Sequence, residues 1–241
     1  MPKLGTMTIV AALTMGVLGV AQVKAAEVAV KEGEKIAFMG DSITQAGAKP
    51  GGYLRLVISG LEANGIKTTA IPAGISGHKS NQMLARLEKD VLSKKPDWMT
   101  LSCGVNDVWH GANGVPLDKY KENITKIVEQ CESAGIKVMI LTSTMIGEDA
   151  ANENNGKLAP YNAFLVELAK DKKCLLADLN AQMQAELAAA GPDRKDKMLT
   201  RDGVHMNAAG NQMMAAGVLK SFGLDEKQLK KARESWAVPA K

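Results

Sequence analysis

Lys35-Ile36-Ala37-Phe38-Met39-Gly40-Asp41-Ser42-Ile43-Thr44 reads as a short apolar run that stops at a glycine and hands a serine to a tight turn. An apolar run this short, closed by Gly, is the pattern of a buried strand. Working outward, the pattern repeats. Further strands are expected at Lys67 to Ile71 (ended by Pro72), Trp98 to Cys103, Lys137 to Thr142 and Cys174 to Ala177. Between them lie helical spacings at Tyr53 to Asn64, Ser80 to Leu92, Leu117 to Ala134, Leu158 to Lys170, Leu179 to Ala190 and Ala208 to Leu219. Strands and helices that alternate, with apolar strands, predict a parallel sheet with helices on both faces.

In such a sheet the ligand lies outside the carboxyl ends of the strands. Three short blocks fall there: Gly40-Asp41-Ser42-Ile43-Thr44 after the first strand, Gly74-Ile75-Ser76-Gly77-His78 after the second, and Gly104-Val105-Asn106-Asp107 after the third. A fourth, Asp202-Gly203-Val204-His205, precedes the last helix of this alternating series and can reach the same edge. Any one block occurs by chance in turns; the four in order supply a serine nucleophile, a histidine base, a carboxylate to orient it, and hydrogen-bond donors for an oxyanion. A glycine lets the backbone come close to a substrate, and an asparagine amide donates without carrying a charge.

These blocks resemble the SGNH hydrolases, also called GDSL esterases and lipases, over about Lys35 to Leu219. The resemblance implies a flavodoxin-like three-layer α/β/α sandwich with a five-stranded parallel sheet. It implies Ser42 as nucleophile, Asp202 and His205 as its partners, and an oxyanion hole from Ser42, Gly77 and Asn106, with no cofactor and no metal. Gly77 rather than Gly74 matches the family's glycine. Relatives often carry asparagine just before the second block, where this chain has Pro72, which touches local loop bonding but no catalytic role.

Neighbouring residues carry two readings each. Asp41 and Asp107 are expected to brace loops. His78, His110 and Trp109 follow site residues closely; each is either a substrate contact or, for the histidines, an exposed loop residue and, for Trp109, plain core. The polar connection from Ser143 to Asn155 is either a substrate loop or a mobile surface excursion.

At 46% hydrophobic and 23% charged over 241 residues, the chain fits one domain with a sizeable core. Lys3, the uncharged stretch Met7 to Val20 and Val23-Lys24-Ala25 form a secretory signal pattern, with cleavage expected after Ala25 and a single domain over 26–241. A membrane anchor is the alternative; cleavage leaves no stable span and a periplasmic or secreted protein. Lys3 and Lys24 leave without any acid, so the net charge of +4 falls to +2, too little to argue for nucleic acid. The Lys-rich tail around Lys227 to Lys231 is interspersed with acids, as on a solvated helix face. Cys103, Cys131 and Cys174 permit at most one internal disulfide; Cys103 and Cys174 read as small buried hydrophobes.

A nucleotide-binding protein is disfavoured by the absence of a phosphate loop, and an α/β-hydrolase by the absence of Gly-x-Ser-x-Gly. The remaining alternatives are a lysophospholipase or thioesterase of the same family, or a non-catalytic glycan-binding relative. With 4% aromatic residues and no long apolar lid, the expected substrate is a small-molecule or glycan ester bearing a short acyl group such as acetyl.

Overall fold

A computed structural model describes residues 27–191 and 197–237. The signal segment expected at residues 1–25 lies outside the described residues. Five strands form one sheet: β1 (Lys35–Gly40), β2 (Thr69–Gly74), β3 (Trp98–Ser102), β4 (Lys137–Leu141) and β5 (Leu175–Ala177). Their spatial order is β2-β1-β3-β4-β5, and every pairing is parallel. The helices are α1 (Ser42–Gly47), α2 (Tyr53–Ala63), α3 (Ser80–Asp90), α4 (Val105–Trp109), α5 (Leu117–Ser133), α6 (Glu153–Asp171), α7 (Leu179–Ala189), α8 (Ala208–Ser221) and α9 (Glu226–Trp236).

The period of two along β1 builds both cores at once. Ile36 and Phe38 point to one face, where they join Leu54 and Val57 of α2 and Val218 and Leu219 of α8. Ala37 and Met39 point to the other, among Met83 and Leu87 of α3 and Ile124 and Val128 of α5. β4 divides likewise, Met139 and Leu141 against Val138 and Ile140. Each of the larger of these side chains, once fully buried, contributes roughly 1.5–3 kcal/mol. The result is the three-layer α/β/α sandwich.

Several boundaries differ from expectation, for physical reasons. The second strand runs on through Pro72 to Gly74. Thr69 N–H and Ile75 N–H donate to Glu34 and Gly40 on the β1 side, so odd-numbered residues of β2 face β1. Pro72 is even-numbered and β2 is the edge strand, so the missing N–H would have pointed outward. α6 begins at Glu153, five residues before the expected start, because Asn152 caps it by accepting from Asn154 N–H. Pro160 sits inside that helix. All three cysteines are free; Cys103 and Cys131 are buried, whereas Cys174 is only partly so, since β5 begins one residue later than expected.

Because β2 and β3 leave β1 on opposite sides, the chain reverses its winding there. In doubly wound sheets such a reversal, here beyond the carboxyl ends of β1 and β3, is where ligands bind.

Candidate active site

Ser42 is the first residue of α1, directly beyond β1. Asp41 caps this helix, its Oδ1 accepting from Ile43 N–H at 2.9 Å. The helix lies so close to the strand ends that a Cβ on Gly40 would stand 2.1 Å from Thr44 Oγ1, and one on Gly74 would stand 2.3 Å from Gln45 N. The glycines of the first two blocks thus press the serine turn onto the sheet. Thr44 Oγ1 is paired with Tyr53 OH at 2.9 Å, fixing α1 to α2.

The last block forms a small hairpin closed by an antiparallel bridge between Thr200 and Met206. Asp202 Oδ1 accepts from Val204 N–H at 3.0 Å and His205 N–H at 2.8 Å, which folds the turn. Its Oδ2 lies 2.6 Å from His205 Nδ1. The turn-forming and histidine-facing roles are therefore held by one carboxylate. His205 Nε2 in turn lies 2.9 Å from Ser42 Oγ, across 163 residues of sequence. Burial works against ionisation of Asp202, but the hydrogen bonds from His205 and Val204 outweigh it and hold its pKa at about 2. An acid of that strength stays charged beside the imidazole and can fix the tautomer with Nδ1 protonated, leaving Nε2 to accept from the serine hydroxyl.

Asn106 lies in the first turn of α4, beyond β3. Its Nδ2 donates to Asp41 Oδ2 at 3.1 Å and to the His78 carbonyl at 3.3 Å. The amide is thereby aimed from below by the residue preceding Ser42. Gly77 occupies the turn after β2 at φ +75°, a conformation that suits glycine, and is exposed. Neither Ser42 N–H nor Gly77 N–H donates to a described residue. These two backbone N–H groups and the Asn106 amide are the three donors that the sequence singled out for an oxyanion.

Burial raises Asp41 to about 6, and the charge of Asp107 adds to this, while Ile43 N–H and His205 act the other way. Asp107 is itself raised by burial. Its Oδ1 accepts from Ser80 N–H at 3.0 Å and its Oδ2 from Cys103 Sγ at 3.4 Å, so it braces α3 against β3. Sequence reasoning missed Arg86. This buried guanidinium donates to the carbonyls of Gly40 and Ala73 at 2.8 Å, tying the ends of β1 and β2 together, and to Asp90 at 2.9 Å. Its position three residues after Met83 and next to Leu87, on the apolar face of α3, was the available signal. Arg86 Nε also donates to His78 Nδ1 at 3.1 Å. Burial and that neighbouring charge lower the His78 pKa. His110 stands exposed past the end of α4. Trp109, three residues after Asn106 on the same helix, is 46% exposed and is not core.

The Ser143 to Asn155 connection starts buried, through Ile146, and comes to the surface at Asp149 to Ala151. Asn162 brackets Ser143 through its N–H and carbonyl at 2.8 and 3.0 Å, and Asn155 Oδ1 accepts from Ile146 N–H at 2.8 Å. Among the described residues no cluster of three or more His, Cys, Asp or Glu stands in metal-binding array, and no helix is long and apolar enough to cross a membrane.

Comparison with known proteins follows the same site. Residues 38–213 match the GDSL-like Lipase/Acylhydrolase family. The chain is 28% identical over 218 residues to an acetylxylan esterase of Geobacillus stearothermophilus, covering 81% of this chain and 97% of that one. The crystal structure of an acetyl xylan esterase, AlAXEase, superposes with a TM-score of 0.74 at 38% identity, covering 78% of this chain and 98% of the other. That of Axe2, an acetylxylan esterase from Geobacillus stearothermophilus, gives a TM-score of 0.74 at 27% identity, covering 82% and 97%.

Proposed function

Since the chain belongs to the GDSL-like lipase/acylhydrolase (SGNH hydrolase) family and is a carboxylic ester hydrolase, we propose that it is an exported serine esterase that removes acetyl groups from carbohydrate through an acyl-enzyme. The observation that carries the mechanism is the unbroken line Ser42 Oγ, His205 Nε2, His205 Nδ1, Asp202 Oδ2, at 2.9 and 2.6 Å. Ser42 Oγ attacks the ester carbonyl carbon while His205 Nε2 takes its proton. The carbonyl oxygen becomes an oxyanion that accepts from Ser42 N–H, Gly77 N–H and Asn106 Nδ2. To serve it, Asn106 exchanges its longer bond, to the His78 carbonyl, for one to the oxyanion and keeps the bond to Asp41. Collapse expels the alcohol, which receives the proton from His205, and leaves acetyl on Ser42. Water, deprotonated by the same imidazole, then releases acetate.

Replacing Ser42 by Ala should lower turnover of an aryl acetate by about 10⁴- to 10⁶-fold with the fold retained. A variant keeping more than a tenth of the activity would remove the serine from this role. The acetyl-carbohydrate assignment rests on the relatives' substrate and on Trp109, whose flat exposed indole stands one helical turn from Asn106. Trp109→Ala is therefore expected to raise KM for acetylated xylan while leaving aryl acetate hydrolysis unchanged. Equal effects on both substrates, or preference for long acyl chains, would favour the lysophospholipase reading.

A further inference from the structure

The geometry points to Glu148 as a positioning residue that holds the Asp202–His205 hairpin in register with Ser42. This inference rests on the roles proposed above for Asp202 and His205. The hairpin springs from residues 197–200 and runs into α8, with Asp202 and His205 near its tip. Glu148 reaches it from the connection after β4. Its Oε1 accepts from Leu199 N–H at 2.8 Å, Thr200 N–H at 2.6 Å and Thr200 Oγ1 at 2.7 Å. Its Oε2 accepts from Met198 N–H at 2.6 Å. One carboxylate thus gathers three consecutive backbone donors and a hydroxyl at the base of the hairpin. Thr200 Oγ1, while donating to Glu148, accepts from Gly203 N–H at 3.1 Å, inside the Asp202–His205 turn. The neighbouring Gly147 N–H donates to Gly203 O at 2.6 Å.

The backbone leading to Glu148 is held in place. Thr142 through Ile146 are buried, and Asn155, Asn162 and Asn180 bind their backbone. Position is thereby passed from β4 and α6 through Glu148 and Thr200 to the turn that sets His205. A carboxylate suits the task because both its oxygens accept, and bonds to an ionised acceptor are about twice as strong as neutral ones. Gln keeps the shape but turns one acceptor into a donor facing backbone N–H groups. Displacement of a reacting group by about 1 Å can cost on the order of 10²-fold in rate.

The test is Glu148→Gln in the full chain, assayed on an aryl acetate and by proton NMR. The expected result is a fall in kcat of about 10- to 100-fold with KM unchanged. The low-field resonance of the His205 Nδ1 proton, shared with Asp202 at 2.6 Å, should broaden or vanish while far-ultraviolet circular dichroism stays native. Thr200→Val, which removes only the hydroxyl link, should show a smaller change in the same direction and decides the matter if Glu148→Gln fails to fold. His205→Ala is the control. An inactive control beside a Glu148→Gln variant with kcat within twofold of the parent and an unchanged resonance overturns the inference and leaves the triad standing. A fully active control overturns the triad itself.

Discussion

Asp41 is the residue on which the site's electrostatics turn. It caps α1 with one carboxylate oxygen and orients Asn106 with the other, yet it is 2% exposed and has its pKa raised to about 6. An unfolded aspartate ionises near 3.9. Below that value both states are protonated and burial costs nothing; between it and about 6 the folded state binds the extra proton, so stability falls as pH rises. Asp41→Asn removes this dependence. Its stability relative to the parent should improve by up to about 3 kcal/mol between pH 4 and pH 7, read from urea melts at each pH. Parallel stability curves for the two proteins would show that Asp41 is not buried as a charge. At this scale residue type and order singled out Ser42, Asp202 and His205, which the structure brings within hydrogen-bonding distance, and named Gly77 and Asn106 as candidate donors. It was silent on Arg86 and Glu148, because a polar residue's partner is set by what packs against it rather than by its neighbours in the chain.

Among the elements, α8 is tied to the hairpin that carries Asp202 and His205. Its cap, Asn207, accepts from Gly210 N–H at 3.0 Å and donates to Met198 O at 2.9 Å and to Thr200 O at 3.3 Å. One amide therefore ends the hairpin and starts the helix. Asn207→Ala should destabilise the protein by about 1–2 kcal/mol, the usual value of a lost cap, measured by chemical denaturation. It should also lower kcat, since the freed carbonyls belong to the hairpin strand held opposite His205. A stability loss without any change in kcat would make the cap purely structural. Helix and strand existence followed from period, but ends did not. Pro72 marks a strand end only if its N faces a partner strand, and it does not. Likewise, Asn152 caps α6 well before the apolar spacing at Leu158 begins.

At the scale of the molecule, Ala29 N–H donates to Phe222 O at 2.8 Å, docking residue 29 beside the end of α8. Our proposal of export predicts a native protein recovered outside the cytoplasm with Ala26 or a near neighbour at its N-terminus, as N-terminal sequencing would read. Recovery of intact Met1 in a membrane fraction would support the anchor instead. The sequence by itself determined the alternation of elements, hence a parallel sheet, and the order of the four blocks, hence the chemistry available at its carboxyl edge. Both are local or periodic properties, written in spacings of two, of 3.6 and of a few residues. The tertiary structure alone decided that His205 meets Ser42 across 163 residues, and that Asp41 is buried enough to resist ionisation. It alone brought Glu148, on the connection after β4, to the backbone N–H groups of residues 198–200. Those outcomes depend on which groups are desolvated together and at what distance, and the linear order of a chain carries neither quantity.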